Sequence, residues 1–141
     1  MTKGEIAREY FLSGKNCAQS VALAFMDELK LDKTTIEKMT IGFGGGLARQ
    51  RLTCGVVAGM AFVLGYLFEE KGKTAVYQII QKACEMFKNE TGSLICEELL
   101  SGITADNSPV PSERTDEYYK KRPCQELCLL GVDIVANILG E

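Results

Sequence analysis

The feature that most constrains this chain is its longest apolar run, GVVAGMAFVLGYLF at positions 55–68. The run is shorter than the roughly 18 residues that a membrane-spanning helix needs, so we expect no membrane insertion. It predicts instead a helix buried in a folded core. Hydrophobic residues make up 46% and charged residues 25% of the 141 positions, an ordinary globular mixture. That length favours a single domain over 1–141.

Helix signals occur on both sides of this run. Asn16, Thr53 and Ser93 are suitable N-caps, and Pro109 and Pro111 mark 101–113 as a surface loop. The predicted helices cover 5–12, 17–30, 32–41 (or 34–41), 54–71, 74–88, 94–100, a polar turn at 115–121 and a last helix that begins at Pro123. No strand alternation is convincing. We therefore predict an all-α fold, a compact bundle of about five or six helices with a Gly-rich loop.

The chain contains no histidine, which excludes several kinds of chemistry. Ser-His-Asp and Cys-His catalytic units, zinc sites with imidazole ligands and haem held by a proximal histidine are all ruled out. The net charge of −3 is not typical of a nucleic-acid-binding protein. Charges interrupt the N-terminal residues, and no secretory signal follows them, so we expect a cytoplasmic protein with reduced thiols.

The six cysteines are the residues best suited to carry out chemistry. Five of them lie within the first turn or so of predicted helices. A helix N-terminus presents free N–H groups and partial positive charge, which favour a thiolate and can lower the thiol pKa. Basic residues also precede several of them. The cysteines are Cys17, Cys54, Cys84, Cys96, Cys124 and Cys128.

The spacing of the cysteines excludes familiar motifs, because no Cys-x-x-Cys pair occurs. Any joint site must be assembled by the tertiary fold, with one ligand from each helix. Cys124 and Cys128 lie four residues apart, on one helical face. Free cysteine is also a small hydrophobe that is commonly buried, and Cys84 fits that interpretation best because it lies at core spacing in its helix.

The glycine segment at 42–46 matches neither a dinucleotide fingerprint nor a phosphate-binding loop. Its backbone amides could approach an anion or a sulfur atom closely, and a plain turn between helices is the alternative. The candidate cofactor-binding glycines are Gly44, Gly45, Gly46 and Gly55. A stripe of small residues, Cys54, Ala58, Ala61 and Gly65, allows close helix packing or a homodimer.

Five segments of the chain, taken in order, resemble a family of small redox-active proteins. The family is named for a Cys, a Cys-Gly-Ala-x-x-Gly type motif and two further Cys. Val56 departs from the family's usual alanine. The last family position is carried to Cys128, because the apolar residues that follow it fit better than those after Cys124. The matching segments are 14–20 around Cys17, 42–46, 54–59, 92–100 around Cys96, and Cys128 with Val132, Ala136 and Ile138.

The resemblance implies a cytoplasmic redox protein. A similar cysteine arrangement occurs in a domain of split-Soret-type cytochromes, where it is associated with an iron–sulfur cluster. This implies that Cys17, Cys54, Cys96 and Cys128 form the site, both as redox-active (catalytic) residues and as ligands of an iron–sulfur cluster or another thiophilic metal. The chain would be an oxidoreductase or an electron-transfer protein with an unidentified redox partner.

Two other functions remain open at this point. One is metal-free thiol–disulfide chemistry, in which one cysteine attacks and another resolves. The other is a structural bundle or dimer whose cysteines are buried and inert. No carboxylate lies in a recognisable catalytic motif, so the sequence names no reaction.

Overall fold

The computed structural model describes residues 1–104 and 106–141. This part of the chain contains nine α-helices and no strand, which confirms the all-α prediction and exceeds the expected five or six helices. Two 3₁₀ turns cover Ile41–Phe43 and Glu69–Lys71. The helices are α1 (Lys3–Leu12), α2 (Cys17–Leu23), α3 (Met26–Leu29), α4 (Lys33–Thr40), α5 (Gly55–Phe68), α6 (Lys73–Thr91), α7 (Cys96–Leu99), α8 (Asp116–Lys121) and α9 (Cys124–Leu139).

Helix α5 is the central element, as its apolar run predicts. It packs against α2, α6 and α9, while α1 lies along α9 and α4 supports α2. Val56, Met60 and Val63 of α5 are completely or almost completely buried in a single hydrophobic cluster. Each such side chain contributes about 1.5–3 kcal/mol through its removal from water. No helix in the described ranges has the combination of length and apolar character that crossing a membrane requires.

Two glycines allow α5 to approach α2 closely. A Cβ atom on Gly59 would lie 3.0 Å from Cβ of Val21, and one on Gly55 would lie 3.1 Å from Cβ of Cys17. Ala58, Ala61 and Gly65 of the small-residue stripe remain partly exposed. These glycines therefore serve packing within the chain, and a dimer through the remaining stripe stays a prediction.

The predicted cap of α2 is confirmed, but its predicted length is wrong. The Asn16 side chain accepts a hydrogen bond from the backbone N–H of Gln19 at 2.9 Å, and the Gln19 side chain accepts one from the Asn16 N–H at 3.0 Å. The helix ends at Leu23 instead of continuing to Lys30. Phe25 leaves the helical conformation, with φ −108° and ψ 24°, and its ring is completely buried.

The predicted caps Thr53 and Ser93 are wrong, because a backbone pairing takes their place. Helix α5 has Cys54 as its N-cap, and Thr53 forms an isolated antiparallel bridge with Ile95. The Ser93 hydroxyl oxygen accepts a hydrogen bond from the Ile95 N–H at 3.0 Å, and α7 begins only at Cys96. The two chain segments satisfy each other's backbone groups, so neither helix needs a side-chain cap at that point.

Candidate functional site

Four cysteines stand where four helices begin, and together they line one cavity. Cys17, Cys96 and Cys124 are the first residues of α2, α7 and α9, and Cys54 is the N-cap of α5. The cavity that they line has a volume of about 280 Å³. Cys54, Cys96 and Cys124 are buried, whereas Cys17 is partly exposed. Residues far apart in the sequence are thus gathered by the packing of their helix ends.

Cys54 and Cys96 lie side by side because the segments that precede their helices pair. The Cys54 N–H donates to the Leu94 carbonyl at 2.8 Å, and the Cys96 N–H donates to the Leu52 carbonyl at 2.6 Å. A third bond runs from the Glu97 N–H to the Arg51 carbonyl at 3.1 Å. This pairing fixes the positions of two helix starts relative to each other.

The other two cysteines lie elsewhere. Cys128 is completely buried one turn along α9 from Cys124, and it interacts with the thiol of Cys17 without being one of the cavity-lining residues. Cys84 is half-buried in the middle of α6, and it too lies outside that lining. The assignment of the last site position to Cys128 therefore stays a prediction, and Cys124 is the cysteine of α9 at the cavity wall.

The glycine segment folds into a left-handed turn that leads into the site. Five consecutive residues, 45–49, have φ values between 51° and 74°, and Arg51 has φ 64°. This conformation costs about 1–2 kcal/mol for each non-glycine residue. Backbone hydrogen bonds close the turn, from the N–H of Arg49 to Gly44, from Arg51 to Gly45 and from Leu52 to Gly46, at 2.9–3.1 Å. The turn brings the Arg49 and Arg51 side chains to the cavity.

The four candidate cofactor-binding glycines all lie at the site, and each has a packing role there. Gly44, Gly45 and Gly55 line the cavity. A Cβ atom on Gly44 would lie 2.5 Å from Asn16 Nδ2, and one on Gly46 would lie 2.7 Å from Cβ of Cys96. The missing side chains let the turn lie directly against a helix cap and a cysteine.

Arg51 is the least expected member of the site. Its side chain is buried, with the residue only 5% exposed. Nε donates to the Asp106 carbonyl at 3.0 Å, and Nη1 donates to Sγ of Cys96 at 3.7 Å. Within the part of the chain that the structure describes, Nη2 is buried and has no hydrogen-bond partner. A buried cation with a free donor is costly, so its position at the cavity wall calls for a functional reason.

Arg49 attaches the proline segment, residues 101–113 with Pro109 and Pro111, to the site. Its guanidinium donates to the Ser108 carbonyl at 2.6 Å, to Oγ of Ser112 at 3.0 Å and to the Val110 carbonyl, and it pairs with the Asp106 carboxylate at 3.4 Å. The described residues of 101–113 form no helix or strand and are mostly exposed, which confirms the predicted surface loop. Pro109, Pro111 and Ser112 of this loop also line the cavity.

Two further arginines complete the wall around Tyr118. The guanidinium carbons of Arg114 and Arg122 lie 5.0 Å and 4.4 Å from the centre of the Tyr118 ring. Arg114 donates to the carbonyls of Phe11 at 2.8 Å and Lys15 at 3.1 Å. The described residues that line the cavity thus include four arginines and no carboxylate, which makes the site electropositive.

The thiols nevertheless have raised pKa values, contrary to the expectation from the helix N-termini. Burial raises the pKa of Cys54 to about 12, although hydrogen bonds from the backbone of Val56 and Val57 act in the opposite direction. Burial also raises the pKa of Cys96, against the opposing effect of the Arg51 guanidinium. Removal from water therefore outweighs both the helix N-terminus and the nearby cation.

The thiols also act on one another. The interaction with Cys17, together with burial, holds the pKa of Cys124 well above its ordinary range. For Cys17 the contact with Cys124 lowers the pKa, but the contact with Cys128 and burial outweigh it, and the pKa is raised strongly. The cysteines at the cavity are therefore protonated thiols at neutral pH as long as nothing binds there.

Sequence reasoning assigned no role at the site to Arg114 or Tyr118. The basic residues before Cys54 and Cys124 were the available signal, and three of them, Arg49, Arg51 and Arg122, do lie at the cavity. Lys15, which precedes Cys17, forms an ion pair with Glu37 instead. No residue pattern marked Arg114 and Tyr118, because both reach the cavity through the folding of α8 and the segment before it.

Cysteine is the only commonly metal-binding residue type among the described residues that line the cavity. In the described ranges, no group of three or more cysteine or acidic side chains is arranged to hold a metal ion. Iron–sulfur clusters use cysteine thiolates as ligands, and four thiols line this cavity of about 280 Å³.

Of three comparisons with known proteins, one gives a match, and that match is to a family model. No curated protein and no solved structure gives a significant match to the chain. A family model described as "Putative redox-active protein (C_GCAxxG_C_C)" matches residues 15–138, a range that contains all six cysteines and most of the cavity lining. The chain therefore belongs to the C_GCAxxG_C_C family.

Proposed function

We propose that the protein transfers electrons through an iron–sulfur cluster held by Cys17, Cys54, Cys96 and Cys124. The observation that carries the proposal is the convergence of these four thiols, each at the start of a different helix, on one cavity. Membership of a family described as redox-active supports a redox function. Such a cluster, when bound, would supply a one-electron redox centre.

The charges around the cavity support a group with net negative charge. Four thiolates carry four negative charges. The cavity wall contains the guanidinium groups of Arg51, Arg114 and Arg122, none of which forms a salt bridge with a carboxylate among the described residues. Arg51 would compensate thiolate charge directly at Cys96, the residue whose sulfur it contacts. Hydrogen bonds of this kind to ligand sulfur atoms also tune a redox potential.

The raised thiol pKa values are compatible with this function. A cysteine must lose its proton to become a ligand, so binding in this cavity releases protons and becomes tighter as the pH rises. Burial that holds the free thiols in the protonated form also protects them from oxidation, because the thiolate is the reactive species. The chemistry of free thiols is thereby suppressed until the group is loaded.

Anaerobic reconstitution with iron and sulfide tests the proposal. We expect bound iron and sulfide in a fixed ratio, with a charge-transfer absorption band that dithionite bleaches reversibly. Cys17→Ala, Cys54→Ala, Cys96→Ala and Cys124→Ala should each lower the bound iron. Cys84→Ala is the matched control, because Cys84 lies in α6 outside the lining, and it should load like the unaltered chain. A folded protein that takes up no iron would refute the proposal.

Metal-free thiol–disulfide chemistry is the second candidate, and one contact favours it. The Cys17 thiol neighbours those of Cys124 and Cys128, so two disulfide partners are within reach of one partly exposed residue. The raised pKa values disfavour attack by these thiols at neutral pH. Thiol counting during a redox titration separates the candidates, since this function requires one pair to oxidise near the potential of the cytosol.

A structural role without redox chemistry makes a third, distinct prediction. Replacing the four cavity cysteines would then change stability alone, in proportion to their burial. All six cysteines are free thiols, which supports the proposal that the protein works in a reducing compartment such as the cytoplasm.

A further inference from the structure

We propose that the cavity also binds a small organic anion, whose carboxylate or phosphate head is held by Arg51 beside Cys96. This site does not require a metal cluster. Two observations support it: Arg51 lines the cavity although the residue is only 5% exposed, and its Nη2 atom is buried with no hydrogen-bond partner among the residues that the structure describes.

The other atoms of Arg51 leave its charge uncompensated. Nε donates to a backbone carbonyl and Nη1 donates to the Cys96 sulfur, so neither nitrogen is paired with a carboxylate. Asp106, whose carbonyl accepts the hydrogen bond from Nε, pairs through its carboxylate with Arg49. A buried unpaired charge destabilises the fold, and an anion in the cavity would compensate it.

The neighbouring cations add to the same effect. Arg122 uses one nitrogen for Oγ of Ser112 at 3.2 Å, and Arg114 donates to the carbonyls of Phe11 and Lys15. In the described part of the chain neither guanidinium has a carboxylate within 4.0 Å. Guanidinium groups match the geometry of carboxylate and phosphate oxygens, so the wall is suited to such a head group.

The other residues that line the cavity indicate what the uncharged part of the ligand would be. Leucine, proline and aromatic side chains form the wall between the arginines, in particular Leu99, Leu100, Leu127, Pro109 and Tyr118. Small-molecule sites are commonly apolar pockets with a few placed polar groups. A volume of about 280 Å³ suits a compact molecule that carries one ring or a short chain.

Binding to the metal-free, reduced protein tests the inference, with benzoate, phenyl phosphate, inorganic phosphate and neutral benzyl alcohol as probes. Calorimetry and thermal shift are measured at constant ionic strength. We expect benzoate or phenyl phosphate to bind saturably and to raise Tm, inorganic phosphate to bind at least tenfold more weakly, and benzyl alcohol to have no effect. Equal binding of benzyl alcohol, or no binding of either organic anion, would overturn the proposal.

Variants connect any binding to Arg51. Arg51→Met should abolish the shift, whereas Arg8→Met, which alters an arginine in an exposed pair with Glu126, should retain it. If Arg51→Met does not fold, Arg51→Lys should weaken binding at least tenfold, and unchanged affinity in either variant would refute the site. If the protein binds the anion but takes up no iron, only the proposal of an iron–sulfur cluster is refuted. If it takes up iron but does not bind the anion, only the anion site is refuted.

Discussion

Arg51 Nη1 lies 3.7 Å from Sγ of Cys96, so the buried cation of this protein donates a hydrogen bond to one of its four cavity thiols. Both residues are positioned by the same device, the pairing of the segment before α5 with the segment before α7. The Arg51 guanidinium and the Cys96 sulfur are thus held next to each other in the ligand-free protein.

Gly46 should not tolerate a side chain. Its φ is +74°, and a Cβ atom would lie 2.6 Å from the Leu52 nitrogen and 2.7 Å from Cβ of Cys96. We expect Gly46→Ala to lower the free energy of unfolding by about 2–4 kcal/mol, since strain and overpacking add. Gly42→Ala is the control, because Gly42 has open space around it, and it should change stability by less than about 0.5 kcal/mol. Urea denaturation measures both, and equal effects would contradict the geometry.

Cys124 and Cys128 should respond differently to substitution. Cys124 lines the cavity, whereas Cys128 is completely buried outside that lining. We expect Cys124→Ala to lose bound iron after reconstitution, and Cys128→Ala to keep it while losing about 1 kcal/mol of stability for one buried heavy atom. Iron analysis and denaturation of each variant separate the two roles. The reverse pattern would give the last ligand position to Cys128, as the sequence resemblance implies.

The stability of the metal-free protein should fall at alkaline pH. The pKa of Cys54 is raised by burial to about 12, so its contribution is complete below the unfolded thiol pKa and is lost as the pH rises through the folded value. Between these values an unfolded thiol has lost its proton and the folded one has not. Stability should therefore fall by about 1.4 kcal/mol per pH unit for this residue.

Cys54→Ala isolates that contribution. The difference in unfolding free energy between the unaltered chain and this variant should be constant from pH 6 to about 8 and should shrink above about pH 9. Denaturation series at several pH values provide the measurement under reducing conditions. A difference that stays constant to pH 10.5 would show that the Cys54 thiol titrates normally in the folded protein.

Arg49 should control the order of the proline segment. Its guanidinium bonds to Ser108, Val110 and Ser112 hold that segment over the cavity. We expect Arg49→Ala to lower stability by about 1–3 kcal/mol and to speed amide exchange and protease cleavage in 106–112. Arg8→Ala, which alters an exposed pair, should leave both unchanged. Exchange rates measured by mass spectrometry would contradict this role if 106–112 stayed protected.

Local chemistry made much of the scaffold predictable. The capping box at Asn16 and the helical period of α6 are encoded within a few residues, and the apolar run of α5 can only be buried. The break after Leu23 could not be predicted, because it depends on where the Phe25 ring finds space in the core. Thr53 was misassigned for a similar reason, since its pairing partner, Ile95, lies far along the chain.

The cysteines of the candidate site could be predicted from the sequence better than its arginines. The placement of cysteines at helix starts identified Cys17, Cys54 and Cys96 from the sequence alone. The choice between Cys124 and Cys128 depends on which side of α9 meets the cavity, and apolar patterning within one helix does not determine that. Arg114 reaches the site through contacts with Phe11 and Lys15, at the other end of the sequence.

X-ray absorption at the iron edge tests the central claim most directly, on protein that is purified and kept without oxygen. The account predicts iron with sulfur-only coordination and a short iron–iron distance, both lost in Cys54→Ala and retained in Cys84→Ala. Iron surrounded by oxygen or nitrogen ligands, or a folded protein that contains no iron after reconstitution, would contradict it.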